Sequence, residues 1–213
     1  MAEDYAEQIR ATYPSGPYRL LGWSFGGLLA HAVATRLQQS GAEVADLFIV
    51  DAYPNPEVSV PDRADHEIIA SLLARDFAVD QAELATDLDG VLSRYAEYLR
   101  ETDHRLAALG EQGLKDSMRV YVNCARIMTE YQPQVFDGDL TFFTATLKSE
   151  GIASSPELRD HFTAEAWSPL IKGGINNHDI EDIHGMLFSN PSSVAAIGRA
   201  VASTFAQAEK ASR

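Results

Sequence analysis

Residues 18–37 read YRLLGWSFGGLLAHAVATRL, an apolar run that turns on glycines around Ser24 and then continues as a helix. YRLLGW predicts a short buried strand. The helix that follows carries Leu28, Leu29, Ala32, Val33 and Leu37 on one stripe and is stopped by Gly41. VADLFIVDAYP, from Val44 to Pro54, is the next strand, apolar through Leu47, Phe48, Ile49 and Val50. Strand, helix, strand in that order predicts parallel strands joined by a right-handed crossover and buried on both faces.

The turn itself, Gly22-Trp23-Ser24-Phe25-Gly26, matches G-x-S-x-G, with a further glycine at Gly27. Between a buried strand and a helix, this is the setting of a nucleophile elbow. The turn is so tight that side chains two residues before and after the serine are expected to collide, which glycine at 22 and 26 avoids. The helix N-terminus behind the serine offers N–H groups to a developing oxyanion. The plainer reading makes Ser24 a helix cap. A phosphate loop fits less well still, because neither G-x-G-x-x-G nor a G-K-[ST] ending is present.

A serine hydroxyl needs a histidine base and an acid that orients it. His31 lies seven residues into the helix, roughly 10 Å along its axis, too far to take the proton. His66 and His104 fall in a helical stretch as solvated residues, and His161 in a polar loop. His178 and His184 remain, at the end of the chain where this fold places its base. His178 falls inside a predicted strand, whereas His184 follows it in a loop beside Gly185, so His184 is the better candidate. For the acid, Asp51 ends the strand LFIVD at the sheet edge that carries Ser24. The alternative position follows the next strand, where TFFTATLKSEG offers Lys148, Ser149 and Glu150; Glu150 is the substitute there.

The remaining chain frames these residues. Residues 3–12 predict a helix, followed by breakers at Pro14, Gly16 and Pro17. After Pro54 the texture becomes helical through residue 131, in DHEIIASLLARDF, ELATDLDGVLSRYAEYLRE and GLKDSMRVYVNCARIMTEY. Strand character returns in GDLTFFTATL and at Ile175 to Ile180, and PSSVAAIGRAVASTFAQAEKA closes the chain as a helix. The expectation is one domain over 1–213, an α/β sheet interrupted by a helical lid at about 58–133. Its apolar residues Ile68, Leu72, Leu73, Tyr95 and Leu99 either line a pocket beneath it or pack helix on helix.

Composition narrows the class. A net charge of −14, from 17 basic and 31 acidic residues, repels phosphate backbones and argues against nucleic-acid or anionic-membrane partners. No apolar run reaches the roughly 20 residues of a membrane span, and the acidic amino terminus is no secretion signal. The single cysteine, Cys124, fits a reducing, cytoplasmic compartment. The isolated histidines form no metal-ligand pattern.

With GWSFGG, LFIVDAYP and DIEDIHGML in hand, the chain resembles the thioesterase domains of nonribosomal peptide synthetases, and less closely those of polyketide and fatty-acid synthases. The G-W-S-x-G-G pattern falls on Ser24, the strand-terminal acid on Asp51, and the histidine before a Met-Leu segment on His184. Trp167-Ser168-Pro169-Leu170 also resembles the family. The resemblance implies an α/β-hydrolase fold, a mostly parallel sheet with helices on both faces and a helical lid. It also implies several strands before the elbow strand, and residues 1–17 hold none of them. Of the two oxyanion donors the family uses, the Phe25 backbone N–H is the one present here. The implied substrate is an acyl or peptidyl thioester on the phosphopantetheine arm of a partner carrier domain, released by hydrolysis or ring closure with no metal or cofactor of the enzyme's own. A general α/β-hydrolase esterase is the alternative enzyme. A non-catalytic fragment or carrier-docking module is the alternative of another class.

Overall fold

The computed structural model describes residues 1–54, 64–76, 88–148 and 162–211. Four parallel strands form one sheet in the order of the chain: β1 (Tyr18–Trp23), β2 (Val44–Val50), β3 (Leu140–Ala145) and β4 (Ile175–Ile180). The expected strands and their parallel pairing are therefore observed. Helix α1 (Ala2–Thr12) leads into β1, and α2 (Phe25–Gln39) crosses from β1 to β2. Residues 1–17 contain α1 and no strand.

Side-chain alternation along the strands builds two cores. Leu47 and Ile49 of β2 and Leu140 and Phe142 of β3 face α1 and α2, with Leu28, Val33, Leu37 and Trp167. Phe48, Val50, Phe143 and Ala145 point the other way, onto Ile180, Leu187 and Ile197. Ile197 belongs to the closing helix, which runs Pro191–Ala211 and is designated α6. A strand with its period-two pattern apolar on both faces can only be covered on both faces, which is what α2 and α6 do.

Between β2 and β3 the chain forms α3 (Asp65–Asp76), α4 (Leu88–Glu101) and α5 (Gly110–Glu130). These helices have a core of their own, in which Ile68, Leu72, Leu73, Tyr95 and Leu99 are buried with Val91, Leu114, Met118 and Val122. Of the two sequence readings, helix-on-helix packing is the one observed for these five residues. A 3-10 turn, Ala164–Leu170, precedes β4, and a shorter one, His184–Met186, follows it. Sequence periodicity had no means of signalling either turn, since each is too short to show a repeat. Among the described residues, no helix is long and apolar enough to cross a membrane.

Candidate active site

The register of the sheet brings the site together. Trp23 pairs with Val50, and Val50 with Phe143. The ladder then runs one step further at the carboxyl edge: the Ser24 N–H donates to the Val50 carbonyl at 3.0 Å, and the Asp51 N–H to the Phe143 carbonyl at 2.8 Å. Ser24 and Asp51 thus leave neighbouring strands side by side. Both do so at positive φ, 55° for Ser24 and 46° for Asp51. A side chain in that region is strained, and such strain persists only where the surroundings hold it.

Ser24 occupies the N-cap position of α2, yet its side chain makes no capping hydrogen bond, and ψ is −130°. The cap reading therefore fails on geometry. The Phe25 N–H lies in the first turn of α2, where backbone donors have no intrahelical acceptor. The close approach that forces glycine here lies between Gly22 and the start of α2. A Cβ on Gly22 would stand 2.0 Å from the Gly26 carbonyl oxygen and 2.7 Å from the Gly27 Cα. A Cβ on Gly27 would stand 2.6 Å from that of Ala52, whereas one on Gly26 would meet nothing within 4 Å. The expected collision is real at position 22 but does not involve a side chain at 26. The second obligatory glycine is Gly27, pressed on the loop that carries Asp51.

His184 opens the 3-10 turn after β4, and its Nδ1 lies 2.7 Å from Asp51 Oδ2. The indole of Trp23 packs on the imidazole, with ring centroids 5.3 Å apart, and on Phe188 at 5.4 Å. The residue before the serine thereby braces the histidine. The loop is pinned from behind by Asp182, which is buried and accepts from Ser193 Oγ at 2.6 Å and from the Ile183 N–H at 2.9 Å.

Asp51 is 4% exposed. Oδ1 accepts from the Tyr53 hydroxyl at 2.5 Å, the Ala145 N–H at 3.0 Å and Lys148 Nζ at 3.3 Å. Burial by itself pushes the carboxyl upward. The hydrogen bond and charge of His184, with Lys148 and Tyr53, more than offset this and hold Asp51 well below the usual carboxylate range. Trp167, fully buried, donates from Nε1 to the Ala52 carbonyl at 2.8 Å and so holds the loop directly after Asp51.

The other histidines are elsewhere. His178 sits on β4, stacked on Phe143 at 5.3 Å with Nε2 3.2 Å from Asn176 Nδ2. His31 is wholly buried, with Nδ1 3.0 Å from the Tyr131 hydroxyl and its ring 4.8 Å from that of Trp167. His66 is half-buried on α3. His104, expected in solvent, is only 5% exposed. Its Nδ1 accepts from the Leu106 N–H at 3.2 Å, so Nε2 carries the proton and donates to Ser189 Oγ at 2.8 Å. That bond ties the helical section to the segment just after His184. Glu150 and His161 lie outside the described residues. Among the described residues, no group of three or more His, Cys, Asp or Glu could hold a metal ion.

Tyr53 and Lys148 are the site residues that motif reading passed over, and Trp167 stood out there by its family resemblance alone, with no role attached. A faint signal existed for Lys148, which stands where an acid was sought.

The family model of the thioesterase domain matches residues 1–200. The chain is 37% identical over 205 residues to a dimodular nonribosomal peptide synthase of Bacillus subtilis, covering 95% of this chain and 8% of that one. It is 32% identical over 203 residues to the malpibaldin synthetase of Mortierella alpina, covering 95% of this chain and 3% of that one. The chain therefore spans under a tenth of the length of these relatives. Among solved structures, the NocB thioesterase domain in covalent complex with a fluorophosphonate nocardicin G analogue superimposes with a TM-score of 0.60 at 21% identity, over 96% of this chain and 73% of that one. The four-domain nonribosomal peptide synthetase AB3403, in its holo form, matches with a TM-score of 0.64 at 22% identity, over 94% of this chain and 15% of that one. The fold is that of the α/β hydrolases, as the parallel sheet and the serine elbow indicate.

Proposed function

The chain belongs to the thioesterase domain family, and from that premise we propose that it releases an acyl or peptidyl chain from a phosphopantetheine thioester on a carrier domain. Ser24, His184 and Asp51 are its nucleophile, base and acid. The observation that carries this reading is the 2.7 Å contact between His184 Nδ1 and a buried, ionised Asp51. A carboxylate there accepts a hydrogen bond from the Nδ1–H and so leaves the lone pair on Nε2, the nitrogen that serves a serine.

In the proposed reaction, Ser24 Oγ bonds to the thioester carbonyl carbon while His184 Nε2 takes the hydroxyl proton. The oxyanion forms against the Phe25 N–H and the positive end of α2. Its collapse breaks the carbon–sulfur bond, and His184 returns the proton to the departing pantetheine sulfur. Water, or an amine or hydroxyl of the same acyl chain, then attacks the Ser24 ester with His184 again as base, the carbon–Oγ bond breaks, and His184 returns the proton to Ser24 Oγ. The carrier partner is supported by the synthetases that the chain matches, and α3–α5 are proposed as the lid over the acyl chain.

The test is intact-mass analysis after treatment with a fluorophosphonate, followed by rates on an acyl-pantetheine thioester and on a simple ester. One adduct is expected in the parent and none in Ser24→Ala. Asp51→Asn should retain the fold and lose about 10⁴-fold in turnover. A folded parent that takes no adduct overturns the enzyme reading in favour of a docking module. Faster turnover of the simple ester favours a general esterase.

A further inference from the structure

Lys148 follows β3 at the carboxyl edge of the sheet and is turned back into the site. Its Nζ lies 3.3 Å from Asp51 Oδ1 and 3.2 Å from the Tyr53 hydroxyl, and 5.4 Å from the centre of the Tyr53 ring. Its side chain is 20% exposed, and that of Asp51 is 3%. We propose that Lys148 is a positioning residue for the reaction: with Tyr53 it clamps Oδ1 of Asp51, and its charge sets how much of that carboxylate is left to His184. The inference rests on the catalytic reading of Ser24, His184 and Asp51 given above.

The two oxygens of Asp51 are divided between two tasks. Oδ2 faces His184, while Oδ1 takes Tyr53, the Ala145 N–H and Lys148. Two of the three donors on Oδ1 are neutral and fix direction alone. Lys148 is the donor that brings a charge, and at a carboxylate this buried solvent ions screen it little. During acylation His184 becomes a cation, so two cations then share one carboxylate. An imidazolium beside a shared carboxylate is less favoured than one beside a carboxylate of its own. The consequence is a base that keeps its lone pair, and a Ser24 that stays activated, to lower pH than Asp51 alone would allow.

Among the described residues, the neighbours Asp182 and Trp23 do not supply this charge. The Asp182 carboxylate is taken by Ser193 and the Ile183 N–H, and its carbonyl by the Leu147 N–H at 3.1 Å. Trp23, on the far side of the imidazole, brings no charge. The position also has a logic in the chain. It follows the strand after which an acid was the alternative, and with the acid at Asp51 a cation there can reach it from the adjacent strand.

The experiment compares the parent with Lys148→Met, Lys148→Gln and Lys148→Arg. It uses two readouts from pH 5 to 9, the rate of Ser24 labelling by a fluorophosphonate and the NMR titration of the His184 ring protons. In Lys148→Met and Lys148→Gln the acid limb of labelling and the His184 titration should both move up by about 0.5–1 pH unit. Lys148→Arg should restore the parent profile. Coincident profiles in a folded neutral variant overturn the proposal and leave Lys148 as a simple counter-charge. An unlabelled parent would defeat the catalytic reading instead, and the His184 titration would still decide what Lys148 does.

Discussion

Ser24 and Asp51 hold left-handed backbone without being glycine, at φ 55° and 46°. Each such residue costs of order 1–3 kcal/mol, offset by the ladder bonds that end on them and by the packing of their neighbours. The glycines around Ser24 therefore differ sharply in tolerance. Gly22→Ala would drive a Cβ to 2.0 Å from the Gly26 oxygen, and backbone cannot yield there without unmaking the elbow. That variant should lose several kcal/mol and fail to give soluble, labelled protein. Gly26→Ala meets open space in the first turn of a helix and should keep the parent's melting temperature within about 3 °C. Gly27→Ala, against Ala52 and Ile49, should resemble Gly22→Ala. Thermal melts of the three variants check this, and a destabilised Gly26→Ala would refute it. Ser24, Asp51 and His184 were legible because the first two directly follow strands and the third lies in the turn after the last strand, in an order dictated by the fold. The contacts of Gly27, Tyr53, Lys148 and Trp167 were not. What they touch comes from a neighbouring strand or a distant turn, and no local pattern encodes that.

Strands and helices were legible because each is amphipathic or apolar throughout with a clear period. What periodicity leaves open is which neighbour an apolar face meets. The stripe of α3–α5 satisfies itself: Leu73, Val91 and Leu99 are fully buried among those helices, away from the sheet. A section with its own core can loosen without unfolding the sheet, which suits a cover over a site. Leu99→Ala removes a buried side chain from that core and should cost about 2–5 kcal/mol locally. Hydrogen exchange should then quicken across α3–α5 while β1–β4 keep their protection. Uniform acceleration through both would show one cooperative unit instead. The bond from His104 to Ser189 links the two parts, so His104→Ala should loosen the same helices with a smaller effect. The sequence could not disclose this bond, because a buried histidine and a solvated one look alike until the partner 85 residues away is placed.

At the scale of the whole molecule, His31 joins three distant pieces: α2, the Tyr131 that follows α5, and the turn that holds Trp167. Burial lowers its pKa from 6.5 to about 4, opposed in part by the Leu170 backbone, which does not reach hydrogen-bond geometry with Nε2. The unfolded chain thus takes up this proton near pH 6.5 and the folded chain only near 4. Stability is intact above that interval and falls as pH drops through it, by about 3 kcal/mol for this residue. Asp51 acts in a separate window. Its depressed carboxyl stabilises the fold above the unfolded value of 3.8, and that contribution fades as the pH falls further. A third effect opposes both, since acid relieves the self-repulsion of a chain carrying −14 charges. Comparing the parent with His31→Gln cancels that shared effect, because glutamine does not titrate and can still bond Tyr131. Urea unfolding at steps from pH 7.5 to 4 should show the parent losing stability relative to His31→Gln below about 6.5, with the gap levelling near 4. Parallel curves across that interval would mean that His31 takes up its proton in the folded core at ordinary pH, and that Tyr131 and Trp167 make room for the charge.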